Sequence, residues 1–148
     1  MKNFIQKDNS VLYTNAGSAI ASGDVVVLVN RIGVAAKDIA ASTGTGTVMI
    51  EGVYELAKTT GTAYSVGDLL FWDAGAGKLT KTATANTWAG IATESASSGA
   101  TVARVALMPS PKQAAYQAAS VASDAAGAVV DLNLLIGKLK AAGLMANS

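Results

Sequence analysis

Hydrophobic and polar positions in the first two thirds of the chain follow β-strand patterns, and one such pattern is present twice. The first copy comprises residues 23–28, 32–35 and 47–50, and the second comprises 67–72, 89–92 and 101–105. Matching points of the copies lie 44, 57 and 54 residues apart. The chain therefore contains a duplicated β unit, and we expect the copies to differ mainly by one longer hairpin in the second.

Residues 47–56 show the clearest alternation, with Val48, Ile50, Tyr54 and Leu56 on one side. Successive side chains of a strand point to opposite faces, so this pattern predicts one ten-residue strand. Short strands separated by Gly, Asp and Ser are typical of a mainly β fold, either a small barrel or a sandwich. The duplication favours a closed or nearly closed barrel, because two equivalent half-sheets can pair their edges.

The chain changes character at its two prolines, Pro109 and Pro111. Proline fixes φ and removes a backbone donor, so neither a strand nor a helix continues easily through this segment. The following residues are rich in Ala and favour helix. We predict a β-barrel domain over 1–108, a Pro-containing linker over 109–112 and a C-terminal helical tail over 113–148.

Apolar residues in the tail follow the alternating three- and four-residue spacing of a coiled-coil seam. A second apolar column at the e position widens this seam and favours three strands over two. The predicted oligomerisation residues are Val121, Ala125, Ala128, Leu132, Leu135, Ile136 and Leu139. The same stripe would also suit a helix that folds back on its own β domain, and the pattern leaves both arrangements open.

The composition limits the chemistry available to this chain. It has no His and no Cys among 148 residues, which removes the commonest general base, thiolate catalysis and the usual transition-metal ligands. Residues 1–108 carry eight basic and eight acidic side chains, so a nucleic-acid backbone is not an expected partner. With no apolar run of about 18 residues, we expect no membrane span. We expect no cofactor, no metal and no enzymatic activity.

Three features invite catalytic or binding interpretations that the sequence does not favour. Residues 73–80 contain Gly77-Lys78 but lack the Gly spacing and the following Ser or Thr of a phosphate-binding loop, so they predict a hairpin turn. Asp24 and Asp68 each follow a Gly, where Asp typically accepts backbone N–H bonds in a turn. Trp72 and Trp88 are expected to be core or interface anchors rather than a stacking platform.

Several short segments together resemble those of small bacteriophage capsid decoration (cement) proteins. They lie at residues 1–6, 50–56, 66–68, 72–73, 89–92 and 102–107. The resemblance implies a virion protein that lies on the outer capsid surface, contacts the major capsid protein and is often trimeric. It implies no site residue. Because the sequence shows no signal-peptide run and no membrane span, we expect the protein to be made in the host cytoplasm. Residues 131–145 separately resemble a C-terminal segment of phage head-fibre proteins.

The leading hypothesis is therefore a homotrimeric structural protein that binds and stabilises a phage head. The alternative is a trimeric fibre or adhesin-like module that binds a cell-surface glycan, which would need exposed aromatic and carboxamide side chains on its loops.

Overall fold

The computed structural model describes residues 9–111, 123–142 and 144. Its contacts divide the chain into two compact units, Met1–Ser110 and Pro111–Ser148. Within the described residues, the first unit contains the strands and the second contains one helix. The elements are β1 (Ser10–Thr14), β2 (Val25–Val27), β3 (Ile32–Ala35), β4 (Thr45–Met49), β5 (Gly52–Ala57), β6 (Leu69–Asp73), β7 (Lys78–Thr80), β8 (Thr87–Ala92), β9 (Val102–Leu107) and α1 (Ala125–Ala141).

The strands form two antiparallel sheets, one of order β1-β4-β3-β2 and one of order β5-β9-β8-β6-β7. The prediction of a mainly β fold with a C-terminal helix is confirmed, and the arrangement is sandwich-like. The preference for a closed barrel was wrong, because no strand ladder joins the two sheets within residues 9–111. The second sheet instead curls on itself. A parallel bridge from Lys58 to Leu79 connects the end of β5 with β7, its opposite edge.

The connection between the sheets lies inside the segment that the alternation predicts as one strand. β4 ends at Met49, and β5 begins at Gly52 in the other sheet. Gly52 has φ of +116°, a backbone conformation that residues with a side chain rarely adopt. This conformation lets the chain leave the first sheet. Val48 and Leu56 are buried on either side of the break, so the alternation continues through it. The prediction of a single strand over 47–56 was therefore wrong.

The two sheets share one topology, which confirms the duplication. The order β1-β4-β3-β2 corresponds to β5-β9-β8-β6, and β7 is the added strand of the longer hairpin. Val34 pairs with Met49 in the first sheet, and Ile91 pairs with Ala106 in the second. Ile91 lies 57 positions after Val34, and Ala106 lies 57 positions after Met49. The predicted spacing of 54 for the third segment was therefore wrong. Residues 47–50 correspond to 104–107.

The turns before β2 and β6 are built in the same way, as the sequence predicts. The Asp24 carboxylate accepts a hydrogen bond from the Ala21 N–H at 2.8 Å, and the Asp68 carboxylate accepts one from the Ser65 N–H at 2.8 Å. Asp68 also pairs with Lys81 at 2.8 Å. The hydrogen bonds from Lys81 and from Ser65 lower the pKa of the Asp68 carboxyl.

β3 is the central strand of the packing, because both of its faces are buried. Ile32 and Val34 join the larger core, which is formed mainly by the inner face of the second sheet. Ala35 points to the other side and joins a smaller core with Val26, Ile39 and Val48. The first sheet thus packs through one face against the second sheet and closes its own core on the other.

Candidate interaction surfaces

Helix α1 begins and ends with recognisable capping interactions. Asp124 is the N-cap, and its carboxylate accepts a hydrogen bond from the Gly127 N–H at 2.7 Å. Lys138 lies in the last turn, where positive charge suits the helix dipole. The Leu144 N–H donates to the Leu139 carbonyl at 2.9 Å, the long bond of a Schellman motif. Gly143, the predicted C-terminal cap residue, lies outside the described residues.

The predicted oligomerisation residues within α1 share one face of the helix, because they are spaced three and four positions apart. No residue of α1, all of which lie in the described part of the chain, is buried. Leu132 is 55% exposed and Leu135 is 37% exposed. Ala125 and Ala128 are also exposed, Ile136 and Leu139 are half-buried, and Val121 lies outside the described residues. We call this face the helix seam.

Apolar side chains also lie outside the helix seam. Val130 is 65% exposed and Leu134 is 50% exposed, at the f and c positions of the heptads. The apolar surface of α1 is therefore wider than the seam alone. An exposed apolar surface of this kind is typical of a partner-binding helix.

A second apolar surface lies on the outward face of the five-stranded sheet. The strand registers place Val53 beside Ala106, Ala106 beside Ile91, and Ile91 beside Leu69. These four residues form a continuous row across β5, β9, β8 and β6, which we call the outer row. Val53 is 58% exposed and Leu69 is 56% exposed. Sequence analysis missed the outer row, because alternation shows which side chains share a face of a strand and does not show which face the other sheet covers.

A charged group borders the outer row on the same face. The Arg104 guanidinium lies 2.5 Å from the Glu94 carboxylate and 3.5 Å from that of Glu55. The hydrogen bond and charge of Glu94, aided by Glu55, raise the pKa of Arg104. Solvent-exposed pairs of this kind contribute little to folding stability, so they chiefly mark a polar edge to the apolar row.

The buried polar residues within the described part of the chain are Asn15 and Lys58, which occupy corresponding positions of the two copies. The Asn15 amide donates to the carbonyls of Ser18 and Ala40 at 2.6 and 3.0 Å. Lys58 has a larger set of partners. Its ammonium donates to the carbonyls of Thr62, Thr59 and Ala100 at 2.7, 2.9 and 3.5 Å, and lies 4.5 Å from the centre of the Tyr64 ring. Both side chains fasten loops at the end of a strand.

The features that suggested other chemistry have structural roles in the described residues. The Asp73 carboxylate accepts hydrogen bonds from the Gly75 and Ala76 N–H groups at 2.9 Å, which ties the predicted β6–β7 hairpin. Trp72 and Trp88 are buried and offer no exposed stacking platform. Over residues 9–111, 123–142 and 144, no group of three or more acidic, His or Cys side chains could hold a metal. Within the same residues, no helix has the length and apolar character to cross a membrane.

Comparison with known families shows what kind of protein carries these surfaces. The family model described as phage cement protein matches residues 5–107, which covers both copies of the β unit. The chain belongs to this family. No curated protein and no solved structure matches it. Membership confirms the resemblance seen in the sequence and makes this cement protein a structural phage protein associated with the capsid.

Proposed function

We propose that this cement protein binds the outer surface of an assembled phage head as a homotrimer, contacts the major capsid protein and thereby stabilises the shell. The observation that carries the self-association is the helix seam, where Leu132 and Leu135 remain exposed. A single helix of 17 residues is marginal in water, and burial of its apolar face is the usual source of its stability.

Exposed apolar side chains in the β unit support attachment to other proteins. Val29 stands fully exposed in the turn between β2 and β3, and Leu12 is largely exposed on β1. The equal numbers of acidic and basic residues in 1–108 suit contact with protein better than contact with nucleic acid. In a capsid lattice, several weak contacts per trimer would add to a high avidity.

Mixing the purified protein with undecorated heads tests capsid binding directly. We expect the protein to co-sediment with the heads up to a fixed ratio per capsid subunit, and to raise the temperature at which the heads release their contents. Heads already saturated with the protein serve as the control and should take up no more. Protein that stays in the supernatant at all concentrations would contradict the proposal. Sedimentation equilibrium without heads measures the oligomer, and a mass near 14.8 kDa at tens of micromolar would contradict the trimer.

A further inference from the structure

The outer row has a counterpart in the first copy of the β unit. In the first sheet, Ser10 pairs with Met49, Met49 with Val34, and Val34 with Val25. The strand registers match these four residues one by one to Val53, Ala106, Ile91 and Leu69 of the outer row. The matched residues are 43 positions apart between β1 and β5, 57 for the next two pairs of strands and 44 between β2 and β6. We call Ser10, Met49, Val34 and Val25 the inner row.

The two rows differ in what covers them. Val34 is only 5% exposed and lies in the larger core, and Val25 packs against the same core. Leu56 and Trp72 of the second sheet belong to the same core, and both line a groove of about 430 Å³ beside Val25. Val34 and Val25 of the inner row thus lie on the face through which the first copy packs on the second. Its counterpart, the outer row, has no such cover within the described residues, and Leu69 stands where Val25 is shielded.

The residues that receive the inner row also have counterparts. Leu56 corresponds to Tyr13, and Trp72 corresponds to Leu28. Tyr13 and Leu28 are half-buried and pack at the margin of the smaller core. The first copy therefore has, at partly exposed positions, the counterparts of two residues of the core in which the copies meet. We call Tyr13 and Leu28 the receiving site.

We propose that the outer row of one chain packs on the receiving site of a second copy of this chain, repeating between chains the contact that joins the two sheets within a chain. The contact joins two different surfaces, the outer row of one chain and the receiving site of the next, so it is head-to-tail. Head-to-tail contacts close into a ring when the rotation allows it. Three chains would form a ring of six β units. This inference rests on the proposed trimer and specifies the contact between its chains. It does not depend on which capsid protein the trimer binds.

Crosslinking tests this contact cleanly, because the chain contains no Cys. The full-length double variant Leu69→Cys/Leu28→Cys is treated with a short bismaleimide and run on a denaturing gel. We expect most of the monomer to be converted into covalent dimers and trimers. A second pair, Leu69→Cys/Tyr13→Cys, should give the same ladder and guards against a local packing defect at Leu28. Circular dichroism and sedimentation establish that each variant is folded and assembled before it is crosslinked.

Three controls make the result specific. Leu69→Cys alone and Leu28→Cys alone should stay monomeric on the gel. The pair Val102→Cys/Leu28→Cys moves the first thiol from Leu69 to Val102, which lies on the same face of the sheet but outside the outer row, four residues from Ala106 along β9. This pair should give far less crosslinked product. Strong dimers from Leu69→Cys alone would overturn the inference in favour of a symmetric contact. An oligomer that gives no ladder with either pair would overturn it while leaving the proposed trimer intact. A monomeric mass would overturn both, and capsid binding would be judged by co-sedimentation.

Discussion

Individual residues reveal why the duplicated pattern repeats a glycine. A Cβ atom on Gly33 would lie 2.8 Å from the Met49 carbonyl oxygen, and one on Gly90 would lie 1.8 Å from that of Ala106. Met49 and Ala106 are themselves corresponding residues, so both copies need the same close approach of two strands. The sequence shows that the glycine recurs, but the neighbouring strand that excludes a side chain can be identified only once the registers are known.

Replacing Gly90 tests this constraint. Gly90→Ala places a methyl group into the β9 backbone and forces φ of +155°, which is strained for Ala. We expect the free energy of unfolding to fall by about 3 kcal/mol or more, and the melting temperature by about 10 °C or more. Gly99→Ala is the matched control, because its Cβ would meet nothing within 4 Å. Equal melting temperatures for the two variants would show that β9 can move aside.

The second residue-scale prediction concerns the buried ammonium of Lys58. Lys58→Met keeps the length of the side chain but leaves the carbonyls of Thr62 and Thr59 without their donor. Removing one partner of a buried hydrogen bond costs about 1–3 kcal/mol, so we expect a loss of about 2–4 kcal/mol in chemical denaturation. Lys78→Met, on the exposed side of β7, should change stability by less than about 0.5 kcal/mol. A Lys58 variant as stable as this control would mean that water replaces the ammonium.

At the scale of elements, the sequence predicted strand positions better than it predicted sheet membership. The run 47–56 has one unbroken alternation, yet Val48 and Leu56 lie in strands of different sheets. Alternation reports which side chains are buried and says nothing about which sheet buries them. The outer row was missed for the same reason. Ile91 and Val34 are both apolar and occupy corresponding positions, and only the packing of the sheets leaves one of them at the surface. The helix seam was predicted from local spacing alone, and its role in oligomerisation stays a prediction.

The β domain, which contains both copies of the β unit, should fold without the tail. A chain that ends at Ser110 keeps β1 to β9 and also keeps the Met108 carbonyl, which accepts a hydrogen bond from the Trp88 indole at 3.1 Å. We expect this truncated chain to be soluble, to show a β-type circular dichroism spectrum and to melt in one cooperative transition. An insoluble product, or one without a cooperative melt, would show that the tail belongs to the core and that the predicted domain division is wrong.

At the scale of the whole molecule, duplication produces two copies that are alike in topology and unlike in environment. The inner row lies at the contact between the two copies. The outer row of the second copy and the receiving site of the first copy lie outside that contact. In the proposed trimer, the outer row and the receiving site bind other copies of the chain. The helix seam is proposed as a second, independent contact between copies. Family membership associates the chain with a capsid, which presents many equivalent sites. Several weak contacts on such a lattice add to a high avidity.

The helix seam can be tested by placing charge on it. In the proposed trimer, Leu132→Asp/Leu135→Asp brings six carboxylates into one apolar column. Burying an unpaired charge costs several kcal/mol, more than a short coiled coil can offset, so we expect the helical circular dichroism signal to fall while the β signal remains. Val130→Asp/Leu134→Asp is the matched control. It adds the same charge to α1 at exposed positions outside the seam and should leave the helical signal nearly unchanged. If both double variants keep their helicity and melting temperature, the seam leucines face solvent and the trimer is held together, if at all, by the β units.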